Sequence, residues 1–181
     1  VLYETLAHEG YPGHLYFFNY VKQQGWHPIN LFVSNIGFEE GWAEYAARLS
    51  LDSWGLDPDM MEVIFLDQEF SYLLMGLSDI GINYGGWTVD DVYDLWETYF
   101  YLDSAEDVRD VYDACMAEPG TILSYSIGYY QICDLEEEVK EMLGESFDHN
   151  EFVTELLSVG GASFDITRSY IMEWANEKLH G

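Results

Sequence analysis

The stretch His8-Glu9-Gly10-Tyr11-Pro12-Gly13-His14 decides how the start of this chain folds. On an unbroken helix, at ~100° and ~1.5 Å per residue, the second imidazole would lie roughly 240° around the axis and about 9 Å along it from the first. Pro12 removes a backbone donor and disfavours helical torsions at Tyr11, while Gly13 accepts torsions that are closed to other residues. We therefore predict that the helix breaks at residues 11–13, and that the break turns His14 back toward His8.

A second motif, Glu39-Glu40-Gly41-Trp42-Ala43-Glu44-Tyr45, supplies carboxylates that can join His8 and His14 in a metal site. It falls within residues 34–51, which have the pattern of a helix. Catalytic zinc sites commonly use three protein ligands and leave the fourth position to water. We predict that Zn²⁺ is held by His8, His14 and Glu40. Glu39 points about 100° away from Glu40 and is the less favoured ligand, although spacing alone does not exclude it.

The remaining polar residues of the two motifs are expected to support these ligands. Glu9 cannot easily coordinate beside His8, but it can hold a water molecule and take its proton, which is the role of a general base. Glu44 lies one helical turn after Glu40 and is expected to accept a hydrogen bond from a ligand imidazole, which would fix its tautomer. Arg48, a turn later, would then pair with Glu44.

Both motifs resemble a bacterial zinc-peptidase-like family catalogued as domain of unknown function 885, which is related to the HExxH-plus-glutamate metallopeptidases. The resemblance rests on residues 8–14 and 40–45. Weaker likeness extends to residues 79–83, 86–88, 124–128 and 147–161. It implies a zinc-dependent peptidase that hydrolyses peptide substrates. Residues 124–130 look similar to the Gly-Tyr-Tyr-like segment of thimet-type oligopeptidases, whose tyrosines stabilise the oxyanion, and this likeness implies Tyr125 as an oxyanion donor.

Three positions depart from the family's pattern. Asn83 stands where a histidine is usual, Tyr129 replaces a lysine that commonly follows the glycine, and Val153 falls where Phe-His-Asp tends to occur. These departures leave the predicted zinc ligands intact but bear on substrate binding and catalysis. They favour a second interpretation, a non-catalytic or degenerate zinc-binding helical module. A third, an acidic metal-free interaction domain, ranks last because a chance match to both motifs is improbable.

Composition narrows the class of protein further. At 181 residues with 49% hydrophobic content, the chain is long enough to form one domain, residues 1–181, with a substantial core. Its 34 acidic residues against 6 Lys plus Arg give a net charge of -28, which argues against nucleic-acid binding. No membrane-spanning run is present, and the two thiols, Cys115 and Cys133, are too few for a disulfide scaffold.

The first residue is Val1 rather than an initiator methionine, and the first motif begins seven residues later. We therefore expect the C-terminal part of a longer protein. A targeting segment would be lost with the missing N-terminus, so the bacterial cytoplasm and the cell envelope or secretion both stay open.

Helical periodicity runs almost throughout, with glycine and proline between the periodic segments and no alternating strand pattern. Capping residues are expected at Asp57, Thr88, Ser104 and Asp148. The predicted helices cover residues 15–24, 34–51, 58–82, 89–100, 104–116, a long segment after Pro119-Gly120 to 143, and 163–179. The sequence thus predicts an all-α single domain with the metal site between a kinked N-terminal helix and a second helix.

Two further expectations concern residues outside the motifs. His27, His149 and His180 lack partners at metal-binding spacing and are interpreted as surface or cap residues. The direction of peptide cleavage is left open, because a carboxypeptidase would need a cation for the terminal carboxylate. Only Arg48 and Arg168 lie on helices predicted to border the cleft.

Overall fold

The computed structural model describes residues 2–25, 33 and 35–180. Every regular element within these residues is a helix, so the all-α prediction is confirmed. The α-helices are α1 (Leu2–Glu9), α2 (His14–Gln23), α3 (Ile36–Ser50), α4 (Pro58–Asn83), α5 (Val89–Trp96), α6 (Arg109–Ala117), α7 (Thr121–Leu143), α8 (His149–Val159) and α9 (Phe164–His180). In the described part of the chain, none of them is both long and apolar enough to cross a bilayer.

The chain forms two compact units. The first comprises residues 1–55 and 127–181, and the second comprises residues 56–126. The boundary falls within α7, which therefore contributes residues to both units. Compactness is not the same property as independent folding, so the single domain across residues 1–181 stays a prediction.

The core of the first unit is built by α2, α3, α7, α8 and α9, each of which buries an apolar stripe. Burying one large apolar side chain contributes roughly 1.5–3 kcal/mol, so this core is the main source of the unit's stability. Its fully or nearly fully buried members include Phe17, Phe38, Trp42, Ile132, Val139, Phe152, Leu156 and Ile171. One face of α3 is thereby fixed, and Glu40 and Glu44 are carried on the same helix.

The start of α1 is tied to the end of α3. The Tyr3 hydroxyl donates a hydrogen bond of 2.7 Å to the Ser50 carbonyl oxygen. The Tyr3 ring also stacks on Trp54, with centroids 4.8 Å apart and planes 7° from parallel. These contacts hold α1 along α3, which sets the position of His8 opposite the glutamates of α3.

Helices α3 and α7 approach each other at glycines. A Cβ atom on Gly128 would overlap the Gly37 carbonyl oxygen and lie 2.9 Å from the Gly41 Cα. A Cβ atom on Gly41 would in turn overlap the Gly128 backbone. The two backbones are therefore in direct contact, and any larger residue must push α3 and α7 apart.

We expect Gly128→Ala to lower the free energy of unfolding by about 3 kcal/mol, because a backbone clash in a packed interior cannot relax cheaply. Gly37→Ala, on the same α3, is the matched control, since its Cβ would meet only side chains, the nearest being Asn35 Oδ1 at 3.3 Å. Urea unfolding of both variants measures the difference. Equal stability of the two variants would show that the close approach is not real.

The second unit packs α4, α5 and α6 around a smaller core of Ile82, Val92, Val108 and Cys115. The fully buried Asp79 organises its polar contacts: Oδ1 accepts from Asn83 Nδ2 at 2.7 Å, and Oδ2 accepts from the Gly120 amide at 2.7 Å.

Most predicted helix boundaries agree with the structure. The Asp57 side chain accepts from the Asp59 amide with Pro58 in the first turn, and Thr88 forms a capping box with Asp91. His27, interpreted above as a surface or cap residue, and the predicted helix start at residue 34 lie outside the described residues. The first described turn of α3 is capped by Asn35.

Two predicted boundaries were wrong. α5 ends at Trp96 instead of continuing to residue 100, because the following amides of Thr98 and Tyr99 donate to carbonyl oxygens three residues back, which tightens the chain into turns. Ser104 caps a 3₁₀ helix, Ala105–Val108, and α6 begins only after it. At both places the spacing of the apolar residues is helical, but the backbone forms turns or a 3₁₀ helix instead of a regular α-helix.

Candidate metal centre

The helix break predicted at residues 11–13 is confirmed. α1 ends at Glu9 and α2 begins at His14. Across the break, the Gly13 amide donates to the Ala7 carbonyl oxygen at 2.9 Å, and the Tyr16 amide donates to that of Gly10 at 3.3 Å. Each bond reaches six residues back instead of four, so the extra two residues are accommodated in the turn.

Gly13 is required at this turn for steric reasons, since a Cβ atom there would overlap the His8 carbonyl oxygen. The turn is also held from α3, because the buried Trp42 indole Nε1 donates to the Gly13 carbonyl oxygen at 3.4 Å. Trp42 thus braces the break from the helix that carries Glu40.

The break brings three side chains to one point. His8 Nε2 lies 3.2 Å from Glu40 Oε2, and His14 Nε2 lies 3.3 Å from the same oxygen. The two imidazole rings are 4.7 Å apart and nearly perpendicular, at 88°. His8, His14 and Glu40 form the cluster of possible metal ligands in the described chain, with one atom from each lying within 4.8 Å of the others.

These distances fit a zinc ion. With bonds of ~2.0–2.1 Å and tetrahedral angles, two ligand atoms lie ~3.3–3.4 Å apart. Among the described residues, Glu40 Oε2 and His14 Nδ1 are buried atoms without a well-aligned hydrogen-bond partner. A bound cation is one arrangement that would satisfy this buried carboxylate oxygen, which faces two imidazole nitrogens.

The far side of His8 is held by Glu44. His8 Nδ1 lies 3.0 Å from Glu44 Oε1, and Glu44 is itself buried. A neutral imidazole that donates from Nδ1 to this carboxylate keeps its Nε2 lone pair directed at Glu40. The structure thus places Glu44 where the sequence prediction had it, beside a candidate ligand histidine.

The pKa values of the metal-free site reflect these contacts. Burial alone would lower the pKa of His8, but hydrogen bonding and charge interaction with Glu40 and Glu44 raise it to about 9. Burial likewise disfavours ionisation of Glu40, but His14 and His8 lower the pKa of its carboxyl group to about 2. Without a metal, the positive charge of protonated His8 therefore partly offsets the negative charge of Glu40, as a bound cation would.

This cluster predicts a pH window for metal-free stability. His8 contributes stability that is complete below its ordinary pKa of 6.5 and is lost as the pH rises through about 9. Glu40 contributes stability that is complete above 4.5 and is lost as the pH falls through about 2. We expect the stability difference between chelator-treated parent and Glu40→Gln to be largest between pH 4.5 and 6.5. Urea unfolding over a pH series measures it, and an unchanged difference above pH 9 would contradict the expectation.

The other predicted site residues are placed as follows. Glu9 ends α1 beside His8 and is exposed, so its carboxylate is accessible to water. The Glu39 side chain points in a different direction from Glu40. Its Oε1 lies beside Gly161, 3.4 Å from where a Cβ atom on that glycine would be. Arg48 lies in the last turn of α3, and its pairing with Glu44 stays a prediction.

Tyr125 and the three residues that depart from the family pattern make contacts within their own units. Tyr125 belongs to the second unit, where its ring packs against Tyr72 at 5.1 Å, and its role as an oxyanion donor stays a prediction. Tyr129 and Val153 pack against the core of the first unit. Asn83 bonds Asp79 and also donates to the Cys115 carbonyl oxygen at 3.0 Å, within the second unit.

A polar cluster around Glu136 on α7 was not predicted from the sequence. Glu136 Oε1 lies 2.9 Å from both Lys140 Nζ and His149 Nδ1. Although burial opposes its ionisation, these two partners lower the pKa of Glu136. Burial and the nearby Glu136 charge raise the pKa of Tyr45 on α3. The i+4 spacing of Glu136 and Lys140 was visible in the sequence, but the approach of His149 from α8 was not.

Comparison with known proteins gives a family and a fold. The family described as "Bacterial protein of unknown function (DUF885)" matches residues 2–171. A candidate lipoprotein from Colwellia psychrerythraea has a similar structure, with a TM-score of 0.82 and 23% identity over 96% of this chain and 30% of that one. A second, of unknown function, from Shewanella oneidensis gives a TM-score of 0.76 and 23% identity over 93% and 31% of the two chains.

This chain therefore spans about a third of the length of those two solved chains. At this level of identity the likeness establishes the fold alone. No curated protein matches the chain.

Proposed function

The chain belongs to the DUF885 family of bacterial proteins, and we propose that it acts as a zinc-dependent peptidase. One observation carries the proposal: the convergence of His8 Nε2 and His14 Nε2 on the buried Glu40 Oε2, at the spacing of tetrahedral ligands. Two neutral histidines and a carboxylate are a ligand set that catalytic zinc uses, with a fourth position left for water.

The chain's own residues divide the work of binding and positioning. His8, His14 and Glu40 would hold the ion, while Glu44 keeps His8 in the tautomer that leaves Nε2 unprotonated. When bound, zinc lowers the pKa of water and polarises a carbonyl group, which is the chemistry that peptide hydrolysis requires.

Glu9 is the general base of the proposed reaction. Its exposed carboxylate accepts a proton from the attacking water, whose oxygen forms a bond to the carbonyl carbon of the peptide. Glu9 then delivers that proton to the amide nitrogen as the carbon–nitrogen bond breaks. The products are one carboxylic acid and one amine, and the carboxylate is returned to its starting state.

Zinc loading is expected to release a proton from His8 at neutral pH, since the pKa of His8 in the metal-free site is about 9 and only neutral imidazole ligates. Apparent zinc affinity should therefore rise about tenfold per pH unit until the pH reaches that pKa. Calorimetric titration in two buffers of different ionisation enthalpy counts the protons. Zinc binding without proton release at pH 7 would contradict this protonation scheme.

A second candidate function is a zinc-binding module without catalysis. The observation in its favour is that Asn83, Tyr129 and Val153, which depart from the family pattern, serve internal hydrogen bonding and packing in this chain. Such a module would retain the metal ligands and lack turnover.

Metal analysis combined with a peptide digest tests the proposal. Protein purified without added zinc is assayed for bound metal and then incubated with a mixed peptide library, with and without chelator. About one zinc per chain and cleavage that is lost on chelation and restored by zinc would support the peptidase. Metal without cleavage would favour the module, and absence of both would favour the metal-free interaction domain.

A further inference from the structure

The outer face of α2 is apolar next to the metal centre. The helix buries Phe17 and Val21 in the core, yet Leu15 and Phe18, on another side of the helix, are 58% and 48% exposed. Phe18 lies one turn after His14, and the two rings are 6.1 Å apart and 23° from parallel. Two large apolar side chains exposed beside a candidate catalytic centre offer a surface on which a bound ligand can bury apolar area.

The exposed face of α2 carries a positive charge near its C-terminal end. Lys22 follows Leu15 and Phe18 at i+7 and i+4, and its side chain is exposed. Within the described residues, Lys22 has no carboxylate at ion-pair distance. Four other basic residues pair with glutamates, namely Arg109 with Glu106, Lys140 with Glu136, Arg168 with Glu138, and Lys178 with Glu151. An unpaired lysine is unexpected in a chain with 34 acidic residues.

The spacing along α2 matches a short extended peptide. From His14 to Lys22 the helix advances about 12 Å, at ~1.5 Å per residue. An extended peptide covers that distance in three to four residues, at ~3.3 Å each. Although the net charge is -28, charges farther than the screening length of about 8 Å act weakly at physiological ionic strength. The attraction of this surface for an anionic group therefore depends on the nearby Lys22 more than on the net charge of the chain.

We propose that α2 is the substrate-recognition surface, and that its substrates are oligopeptides with an apolar side chain next to the scissile bond and a free C-terminal carboxylate three or four residues beyond it. Leu15 and Phe18 contact the apolar side chain, and Lys22 pairs with the carboxylate. The inference rests on the proposed peptidase function. It goes beyond that function by assigning the substrate class and the residues that select it.

Peptide binding tests this surface separately from the chemistry. Zinc-loaded Glu9→Gln protein is titrated with acetyl-Ala-Ala-Leu-Ala-Ala-Ala bearing either a free C-terminal carboxylate or a carboxamide, and with the same peptides carrying serine in place of leucine. We expect the carboxylate form to bind about threefold to fivefold more tightly, as for a solvent-exposed ion pair. In the Glu9→Gln background, Lys22→Gln should remove that difference and Lys178→Gln, the matched control, should keep it. Phe18→Ala should weaken binding of the leucine peptides about tenfold and leave the serine peptides unchanged.

The outcomes distinguish failure of the recognition surface from failure of the proposed peptidase chemistry. Equal binding of acid and amide, a preference that survives Lys22→Gln, or no peptide binding at all would overturn the recognition surface. If these preferences hold while the parent protein cleaves none of the peptides, recognition stands and the peptidase chemistry fails. If the parent cleaves peptides but shows none of these preferences, the peptidase stands and the assignment of α2 is wrong.

Discussion

Replacing Glu9 with glutamine is expected to lower peptide turnover by about 10²–10⁴-fold, the range attributed to a positioned general base. The amide is nearly the same size as the carboxylate but cannot take a proton from water. Since Glu9 is exposed and lies outside the cluster of His8, His14 and Glu40, the variant should still bind one zinc ion. Initial rates on a cleaved peptide, with zinc content measured on the same sample, give the result.

The control is the same chemical change at a distant exposed position, Glu141→Gln in the last turn of α7. It should keep the parent rate. If Glu9→Gln retains zinc and hydrolyses peptides as fast as the parent, Glu9 is not the base and the proposed mechanism is wrong.

The second large effect is expected on metal affinity. Glu40→Gln removes the charged oxygen on which both imidazoles converge at 3.2 and 3.3 Å. Loss of groups that only orient zinc ligands typically weakens binding 10–100-fold, so removal of a ligand should cost more than about a hundredfold. Competition with a zinc-binding dye measures the dissociation constants.

The adjacent Glu39 provides the matched control. Both glutamates lie in the first two turns of α3, but Glu39 Oε1 is directed toward Gly161 and away from the histidines. Glu39→Gln should therefore keep the parent affinity. If the two substitutions weaken zinc binding equally, the third ligand has been assigned to the wrong glutamate.

Features that depend on local backbone chemistry were predictable from the sequence. The break at Tyr11-Pro12-Gly13 follows from proline and glycine torsions, and the start of α4 follows from Asp57 and Pro58. The approach of His14 to His8 was inferred from the same break, because an unbroken helix would direct the two imidazoles apart. Spacing favoured Glu40 over Glu39 without excluding either, because a separation of about 100° between adjacent helical side chains does not say which of them faces the histidines.

Features that depend on tertiary contacts were not predictable in the same way. Phe100, just beyond the end of α5 at Trp96, packs on Phe70, a residue of another helix. The hydrogen bond from Trp42 to the Gly13 carbonyl oxygen joins residues 29 positions apart. No periodicity in the sequence marks either contact, since the partners become neighbours only once the helices have packed.

The exposed face of α2 illustrates a different limit. Leu15 and Phe18 have the spacing of core residues, and only their exposure in the structure distinguishes them from Phe17 and Val21. Whether Lys22 has a carboxylate at ion-pair distance likewise depends on where the glutamates lie in three dimensions. Periodicity identifies a helix but does not say which of two apolar faces is buried.

X-ray absorption at the zinc edge, on protein loaded with one equivalent of zinc, identifies the atoms that bind the ion. We expect two imidazole nitrogens together with oxygen ligands, all at about 2.0–2.2 Å, and loss of the paired imidazole signal in His14→Ala. A shell of oxygen atoms without imidazole, or a spectrum that His14→Ala leaves unchanged, would contradict a single cation held by His8, His14 and Glu40.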